Sequence, residues 1–83
     1  MQVTIYSTTT CPYCKMLKSY LNEKNISYVE KYVDQNESAR EEMMAKSGGY
    51  LGVPFILVIK NGENTPIIGF DRNRVNKVFN IQE

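Results

Sequence analysis

Two cysteines, Cys11 and Cys14, are the residues of this 83-residue chain best suited to chemistry. Pro12 and Tyr13 separate them, which makes a C-x-x-C pair. Thiols at this spacing can cycle between a dithiol and a disulfide. They cannot stabilise the fold as a disulfide, because so short a loop hardly constrains the unfolded chain. We therefore interpret the pair as a redox centre.

The two thiols have different predicted roles, because a helix is expected to begin between them. Pro12 suits the first helical position, and the free N–H groups there carry partial positive charge. These groups stabilise a thiolate at Cys11, which is the predicted nucleophile. Cys14, one turn into the helix, is expected to be less exposed and to act as the resolving thiol. Lys15 and Lys18 follow on the same helix and add positive potential.

Two alternatives for the cysteine pair remain open at this point. The thiols could be small hydrophobic groups buried in the core. Alternatively, two copies of the chain could share a zinc ion or an iron–sulfur cluster through four thiolates. A brown protein that absorbs visible light would indicate the cluster, whereas a colourless monomer would contradict it.

Composition excludes several other classes of function. The chain has no His, which rules out His-based acid–base catalysis, His-activated nucleophiles and His-ligated metals. Its net charge of +1 argues against a general nucleic-acid partner or a polybasic membrane partner. The longest apolar run, Phe55–Ile59, is far shorter than the ~20 residues of a membrane span, and no signal peptide is recognisable. We expect a single cytoplasmic domain, residues 1–83, without a bound metal.

The elements predicted around the motif are those that must position it. A β-rich alternating segment, residues 2–6, precedes the motif, and an apolar stripe with helical spacing follows it to about Lys24. The order β-α-β-α-β-β-α predicts an α/β fold with three helices flanking a central four-stranded mixed sheet. The remaining predicted elements are a strand at Ile26–Val33, a helix at Glu37–Ser47, strands at Phe55–Lys60 and Glu63–Ile68, and a last helix capped by Asp71.

Local signals define the ends and faces of these elements. Gly48 is expected to end the second helix, and Met43 and Met44 are expected to face the core. Asn61-Gly62 predicts a tight hairpin turn between the last two strands. Pro66 lacks a backbone N–H, which predicts that the last strand lies at the edge of the sheet.

Pro54 and the charge distribution give two further indications. From the residues alone, Pro54 is more readily interpreted as a trans turn residue, since cis X-Pro bonds are uncommon. A cis bond would instead present the backbone N–H and C=O of Val53 to an extended peptide-like ligand.

Residues 11–25 and residues 71–79 each contain three cations and one acidic residue. If both helices begin beside the motif, the rim of the site is mildly basic and suits an anionic thiol.

The chain resembles a glutaredoxin from its first strand to its last helix. The resemblance rests on Cys11-Pro12-Tyr13-Cys14, which is the active-site motif of dithiol glutaredoxins. It also rests on Gly52-Val53-Pro54, where the family has a cis proline, and on Gly69-Phe70-Asp71, where the family has a glycine turn before an acidic residue. This resemblance implies the thioredoxin fold, and it favours a cis Val53–Pro54 bond.

The resemblance also implies a glutathione-linked thiol–disulfide oxidoreductase. The Cys11 thiolate would attack a protein disulfide or a glutathione mixed disulfide, and Cys14 or a second glutathione would resolve the intermediate. The expected partners are glutathione, as reducing co-substrate, and disulfide-containing or glutathionylated client proteins, and the protein is expected to be a monomer. The implied glutathione contacts are Tyr13, Gly52, Val53, Pro54, Gly69, Phe70 and Asp71.

Two departures from the family pattern leave the electron source open. The loop before the motif, Ser7-Thr8-Thr9-Thr10, lacks the Lys or Arg with which glutaredoxins contact the glycyl carboxylate of glutathione. A single Gly69 followed by Phe70 is also similar to glutaredoxin-like redoxins that take electrons from thioredoxin reductase. Those redoxins usually lack the Pro-Tyr pair, which is present here. Glutathione and thioredoxin reductase therefore both remain as predicted electron sources.

Overall fold

The described part of the chain forms seven elements in the predicted order. The computed structural model describes residues 1–49 and 52–81, so Tyr50 and Leu51 of the predicted loop and the last two residues of the predicted domain lie outside the described residues. No helix in those ranges is long and apolar enough to cross a membrane. The elements are β1 (Gln2–Ser7), α1 (Pro12–Glu23), β2 (Val29–Tyr32), α2 (Glu37–Ser47), β3 (Phe55–Lys60), β4 (Glu63–Ile68) and α3 (Arg72–Phe79).

The four strands form one mixed sheet in the order β2-β1-β3-β4. β1 is parallel to β2 and antiparallel to β3, and β3 is antiparallel to β4. Asn61 and Gly62 both have positive φ, 53° and 81°, as a two-residue hairpin turn requires. The predicted edge position of Pro66 is confirmed, because β4 is the last strand of the sheet.

The second strand is shorter than predicted. β2 begins only at Val29, because the residues just before it close the end of α1. Asn25 has a left-handed φ of 59°, and the backbone N–H of Ile26 donates to the carbonyl of Leu21 at 2.9 Å. Ile26 and Tyr28 then pack against the core. Their apolar side chains therefore reflect core packing rather than strand pairing.

Helices cover both faces of the sheet, as predicted. Met44, expected to face the core, is instead 39% exposed, since Ala39 and Met43 form the buried stripe of α2 and Met44 lies beside it. The cluster that joins α2 to one face comprises Tyr6, Met43, Phe55 and Leu57. The cluster that joins α1 and α3 to the other face comprises Val3, Ile5, Leu17, Tyr20, Leu21, Ile56, Val58, Ile67 and Val75.

The strand register brings the loops of the predicted site to one end of the sheet. Ser7, the last residue of β1, is paired with Tyr32, the last residue of β2. Tyr6 is opposite Phe55, the first residue of β3, and Phe55 is opposite Ile68, the last residue of β4. Residues 8–14, 33–36, 52–54 and 69–71 therefore lie at the same end.

Candidate active site

Cys11 is the N-cap of α1, so its sulfur lies at the free amides of the first helical turn. Its backbone is extended, with φ −94° and ψ 110°. Its Sγ accepts a hydrogen bond from the backbone N–H of Cys14 at 3.2 Å. The hydrogen bond and the positive end of the helix both favour a negative charge on this sulfur. The geometry agrees with the nucleophilic role that the motif predicts.

Cys14 is more deeply buried than Cys11, as predicted, with exposed fractions of 1% and 8%. Burial, followed by the hydrogen bond with Cys11, raises the pKa of the Cys14 thiol to about 12. The backbone of Thr8 and the positive charge of Lys18 act in the opposite direction. Cys14 is therefore protonated at neutral pH, as expected of a thiol that attacks only after Cys11 has reacted.

Both cysteines are free thiols. Over residues 1–49 and 52–81, no group of three or more His, Cys, Asp or Glu side chains could hold a metal ion. Within that part of the chain, a metal bound by Cys11 and Cys14 would therefore need ligands from a second chain or from a small molecule.

Lys18 is ion-paired, which corrects the predicted contribution of this residue to a basic rim. Its Nζ lies 2.8 Å from Oε2 of Glu30 on β2. The same carboxylate oxygen accepts a hydrogen bond from Oγ of Ser7 at 2.9 Å. The charge count over residues 11–25 could not include this ion pair, because Glu30 belongs to the next strand.

The segments before β3 and after β4 are joined by a hydrogen bond. The Val53–Pro54 peptide bond is cis, as the resemblance implies. Pro54 is buried, and its carbonyl accepts the backbone N–H of Gly69 at 2.8 Å. Gly69 has φ 74°, a conformation that favours glycine. Two of the predicted glutathione-binding segments are thus held together beside the motif.

Phe70 and Asp71, both predicted glutathione contacts, also have partners within the chain. The carboxylate of Asp71 caps α3 by accepting the backbone N–H of Arg74 at 3.2 Å. The half-buried ring of Phe70 lies 5.9 Å from the ring of Tyr20. Asp71 itself remains exposed, so capping leaves its carboxylate accessible to a ligand.

The other predicted contacts lie at accessible positions. Tyr13 is 63% exposed, although it lies between the two buried cysteines. Gly52 and Val53 are half-buried in the segment that leads to Pro54. An aromatic face and a stretch of backbone are therefore both accessible at this end of the molecule.

Arg40 is a candidate functional residue that no sequence motif indicated. A cavity of about 330 Å³ at the end of the sheet that carries the motif is lined by Thr8, Val33, Asp34, Arg40 and Met43. Asp34 holds the loop before the motif, since its Oδ2 accepts both the backbone N–H and the hydroxyl of Thr9. The predicted start of α2 indicated that Arg40 lies one turn into that helix. Its proximity to Thr8 depends on how α2 packs on the sheet, which no local pattern indicates.

Solved structures share this arrangement of elements. A variant of the thioredoxin-like protein BC3987 superposes with a TM-score of 0.83 and 25% sequence identity, covering 98% of this chain and 97% of that chain. A buckwheat glutaredoxin in a complex with glutathione superposes with a TM-score of 0.68 and 20% identity, covering 95% of this chain and 70% of that chain. The protein therefore has the thioredoxin fold, with a C-x-x-C pair at the start of its first helix.

Sequence comparison identifies the family within that fold. The glutaredoxin family model matches residues 3–63. A relative from Clostridium pasteurianum, described as an uncharacterized glutaredoxin-like 8.6 kDa protein in a rubredoxin operon, is 41% identical over 77 residues, which cover 93% of this chain and 96% of that protein. The chain belongs to the glutaredoxin family. Family and fold together support thiol–disulfide oxidoreductase activity.

Proposed function

We propose that this protein uses glutathione to reduce protein disulfides and glutathione mixed disulfides. The observation that carries the proposal is the position of Cys11, whose sulfur accepts an N–H at the positive end of α1. A sulfur in that environment is favoured as a thiolate, which is the attacking form in thiol–disulfide exchange. Cys14, one turn away and held as a thiol, supplies the second sulfur.

The proposed reaction proceeds through a mixed disulfide on Cys11. The Cys11 thiolate bonds to one sulfur of the substrate disulfide, and the other sulfur leaves as a thiolate. Cys14 then attacks the Cys11 sulfur, which releases the second half of the substrate and leaves a Cys11–Cys14 disulfide. Two glutathione molecules reduce this disulfide and become glutathione disulfide. For a glutathione mixed disulfide, a second glutathione can take the place of Cys14.

Accessible groups beside Cys11 support glutathione as the ligand. The exposed ring of Tyr13 offers an apolar face, and the backbone of Val53 offers an edge for antiparallel pairing. The hydrogen bond from the Gly69 N–H to the Pro54 carbonyl holds residues 69–71, which the resemblance implies contact glutathione, against that edge. The buckwheat relative is a glutathione complex with the same fold, which adds support at the level of the family.

We further propose that Arg40 supplies the cation that is missing from the loop before the motif. Arg40 and Thr8 line the same cavity, so Arg40 of α2 lies beside the loop in which the family usually has Lys or Arg. A guanidinium can bind a carboxylate with two parallel hydrogen bonds. The carboxylate of Asp34 in the same cavity already accepts two hydrogen bonds from Thr9, so it is partly satisfied.

An Arg40→Gln variant is expected to raise the KM for glutathione about twofold to fivefold with little change in kcat, since an exposed ion pair contributes at most ~1 kcal/mol. The measurement is the glutathione dependence of mixed-disulfide reduction, coupled to NADPH oxidation by glutathione reductase. Lys46→Gln is the matched control, because it removes one charge from the exposed far end of the same helix.

The two variants separate the role of Arg40 from the wider proposal. An unchanged KM in Arg40→Gln, or an equal rise in Lys46→Gln, would contradict the role of Arg40 alone. A wild-type protein without any glutathione-dependent activity would contradict the proposed function itself.

A redoxin that receives electrons from thioredoxin reductase is the second candidate function. It is favoured by the internal partners of Phe70 and Asp71, because a turn that caps α3 and packs on Tyr20 needs no ligand to explain it. The nucleophile and fold are the same for both candidates. Only the electron donor distinguishes the two candidates, and the donor can be identified directly by assay.

We propose the cytoplasm as the compartment and a monomer as the working form. The sequence has two cysteines and both belong to the redox pair, so none is left for a structural disulfide, which suits a reducing compartment. Clients are proposed to be disulfide-containing or glutathionylated proteins, because both classes offer a disulfide sulfur that a thiolate can attack.

A further inference from the structure

A cluster of charged and polar side chains joins α1 to the two strands behind it. Glu30 on β2 receives the ammonium of Lys18 and the hydroxyl of Ser7 on the same carboxylate oxygen. Ser7 is fully buried, and the Lys18 and Glu30 side chains are only 23% and 17% exposed. The Lys18 ammonium also lies 5.7 Å from the ring centre of Tyr32. These contacts hold Lys18 in one orientation.

Both members of the ion pair remain charged at neutral pH. Burial raises the pKa of Glu30, but hydrogen bonds from Lys18 and Ser7 outweigh it and lower the pKa overall. The pKa of Lys18 is raised, chiefly by its hydrogen bond to Glu30. Among the described residues, the groups that act on Lys18 directly are Glu30 and Tyr32 from β2 and Cys14 from its own helix. Ser7 contacts Glu30 and not Lys18 itself.

The positive charge of Lys18 affects Cys14, which lies on the same helix, α1. Cys14 and Lys18 are four positions apart in α1, so their side chains lie on the same face. The charge of Lys18 lowers the pKa of Cys14, against the larger effect of burial. The proposed mechanism does not otherwise use Lys18, because the thiolate of Cys11 is stabilised at the helix terminus.

The interactions that set the pKa of Cys14 change when Cys11 reacts. Two of the causes that raise the pKa of Cys14, the hydrogen bond and the charge interaction with Cys11, involve the Cys11 sulfur itself. Once Cys11 is bonded to substrate in a mixed disulfide, its sulfur carries no charge, so the charge interaction is lost and the hydrogen bond is weakened. The influences of Lys18 and of the Thr8 backbone remain, since neither residue takes part in the bond.

We propose that Lys18 is a positioning residue for the resolving step: its ammonium, oriented by Glu30 and Ser7, stabilises the thiolate that Cys14 must form to attack the mixed disulfide. The inference rests on the proposed dithiol function and adds to it a residue outside the C-x-x-C motif. In this step Cys14 loses its proton to solvent and its sulfur bonds to Cys11 Sγ. The bond between Cys11 and the substrate breaks, and the substrate sulfur leaves with the electron pair. Lys18 keeps its proton throughout.

The two steps can be separated with dithiobis(nitrobenzoate), whose coloured thiolate is followed by stopped-flow absorbance. Attack by Cys11 releases the first coloured thiolate, and attack by Cys14 releases the second as the Cys11–Cys14 disulfide forms. The reduced full-length protein is mixed with the reagent over a range of pH. Lys18→Met removes the charge but retains the aliphatic stem, Lys18→Gln is a second neutral variant, and Lys18→Arg retains the charge. Lys60→Gln, at the exposed far end of β3, controls for the loss of one positive charge.

The neutral Lys18 variants are expected to slow the second phase about fivefold at neutral pH and to move its pH midpoint upward, because the Cys14 thiolate loses a favourable interaction. Lys18→Arg and Lys60→Gln are expected to retain the wild-type second phase. A neutral variant that folds and keeps both the rate and the pH midpoint of the second phase would overturn the inference. Wild-type protein that releases only the first thiolate would instead contradict the dithiol function, so the two failures are distinguishable.

Discussion

Replacing Cys11 by Ser is expected to lower every thiol–disulfide exchange activity at least ~10³-fold, because it removes the attacking thiolate at the positive end of α1. A serine hydroxyl in the same N-cap position can still accept the N–H of Cys14, so the helix is expected to remain intact. The measurement is the reduction of a glutathione mixed disulfide and of a protein disulfide by the variant and the wild type. Circular dichroism checks the fold of the variant.

We expect the loss of activity in Cys11→Ser to reflect the loss of the Cys11 sulfur alone. Cys14 remains in this variant, but it is 1% exposed and protonated at neutral pH, so it cannot replace Cys11. Equal activity of Cys11→Ser and the wild type would show that the nucleophile has been assigned wrongly.

Replacing Cys14 by Ser is expected to divide the two activities. Reduction of glutathione mixed disulfides should remain within about threefold of the wild type, because a second glutathione can resolve the intermediate. Reduction of protein disulfides by the dithiol route should fall by about tenfold or more, since the internal attack on Cys11 is lost. Both assays use the same glutathione and NADPH coupling, and the ratio of the two rates is the quantity compared.

The buried position of Cys14 makes Ser a conservative replacement in size, although its hydroxyl needs a partner in place of the thiol. Cys14→Ala has no polar group that needs a hydrogen-bond partner, so it serves as a second variant that tests the same loss of the thiol. A proportional loss of both activities in Cys14→Ser and Cys14→Ala would contradict the division of roles between the two cysteines.

The parts of the fold that follow from local signals were predictable from the sequence. Asn61-Gly62 adopts the positive φ angles of a tight hairpin, and Gly48 ends α2 in the left-handed conformation. Asp71 caps α3 through its carboxylate, as its position before an apolar helical stripe predicts. Each of these outcomes depends on a few neighbouring residues, so the sequence contains nearly all of the determining information.

The parts that depend on packing between distant segments were not predictable. Ile26 reads as a strand residue, but it closes the end of α1 through a bond to Leu21. The sequence predicts Lys18 as part of a basic rim, but its ammonium is paired with Glu30 from another element. Arg40 reads as an ordinary helical residue, and only the packing of α2 brings it to the cavity beside Thr8. Sequence spacing fixes faces within one element, but it does not fix which side chains meet across elements.

Whether glutathione is the electron donor of this protein can be decided with a paired reductase assay. The protein is given a small disulfide and NADPH, with glutathione and glutathione reductase in one arm and thioredoxin reductase alone in the other. We expect NADPH consumption only in the glutathione arm, which would mean that a basic residue directly before Cys11 is dispensable. Consumption only in the thioredoxin reductase arm would rule out glutathione as the donor and would make Gly69-Phe70-Asp71 a docking feature for a protein partner.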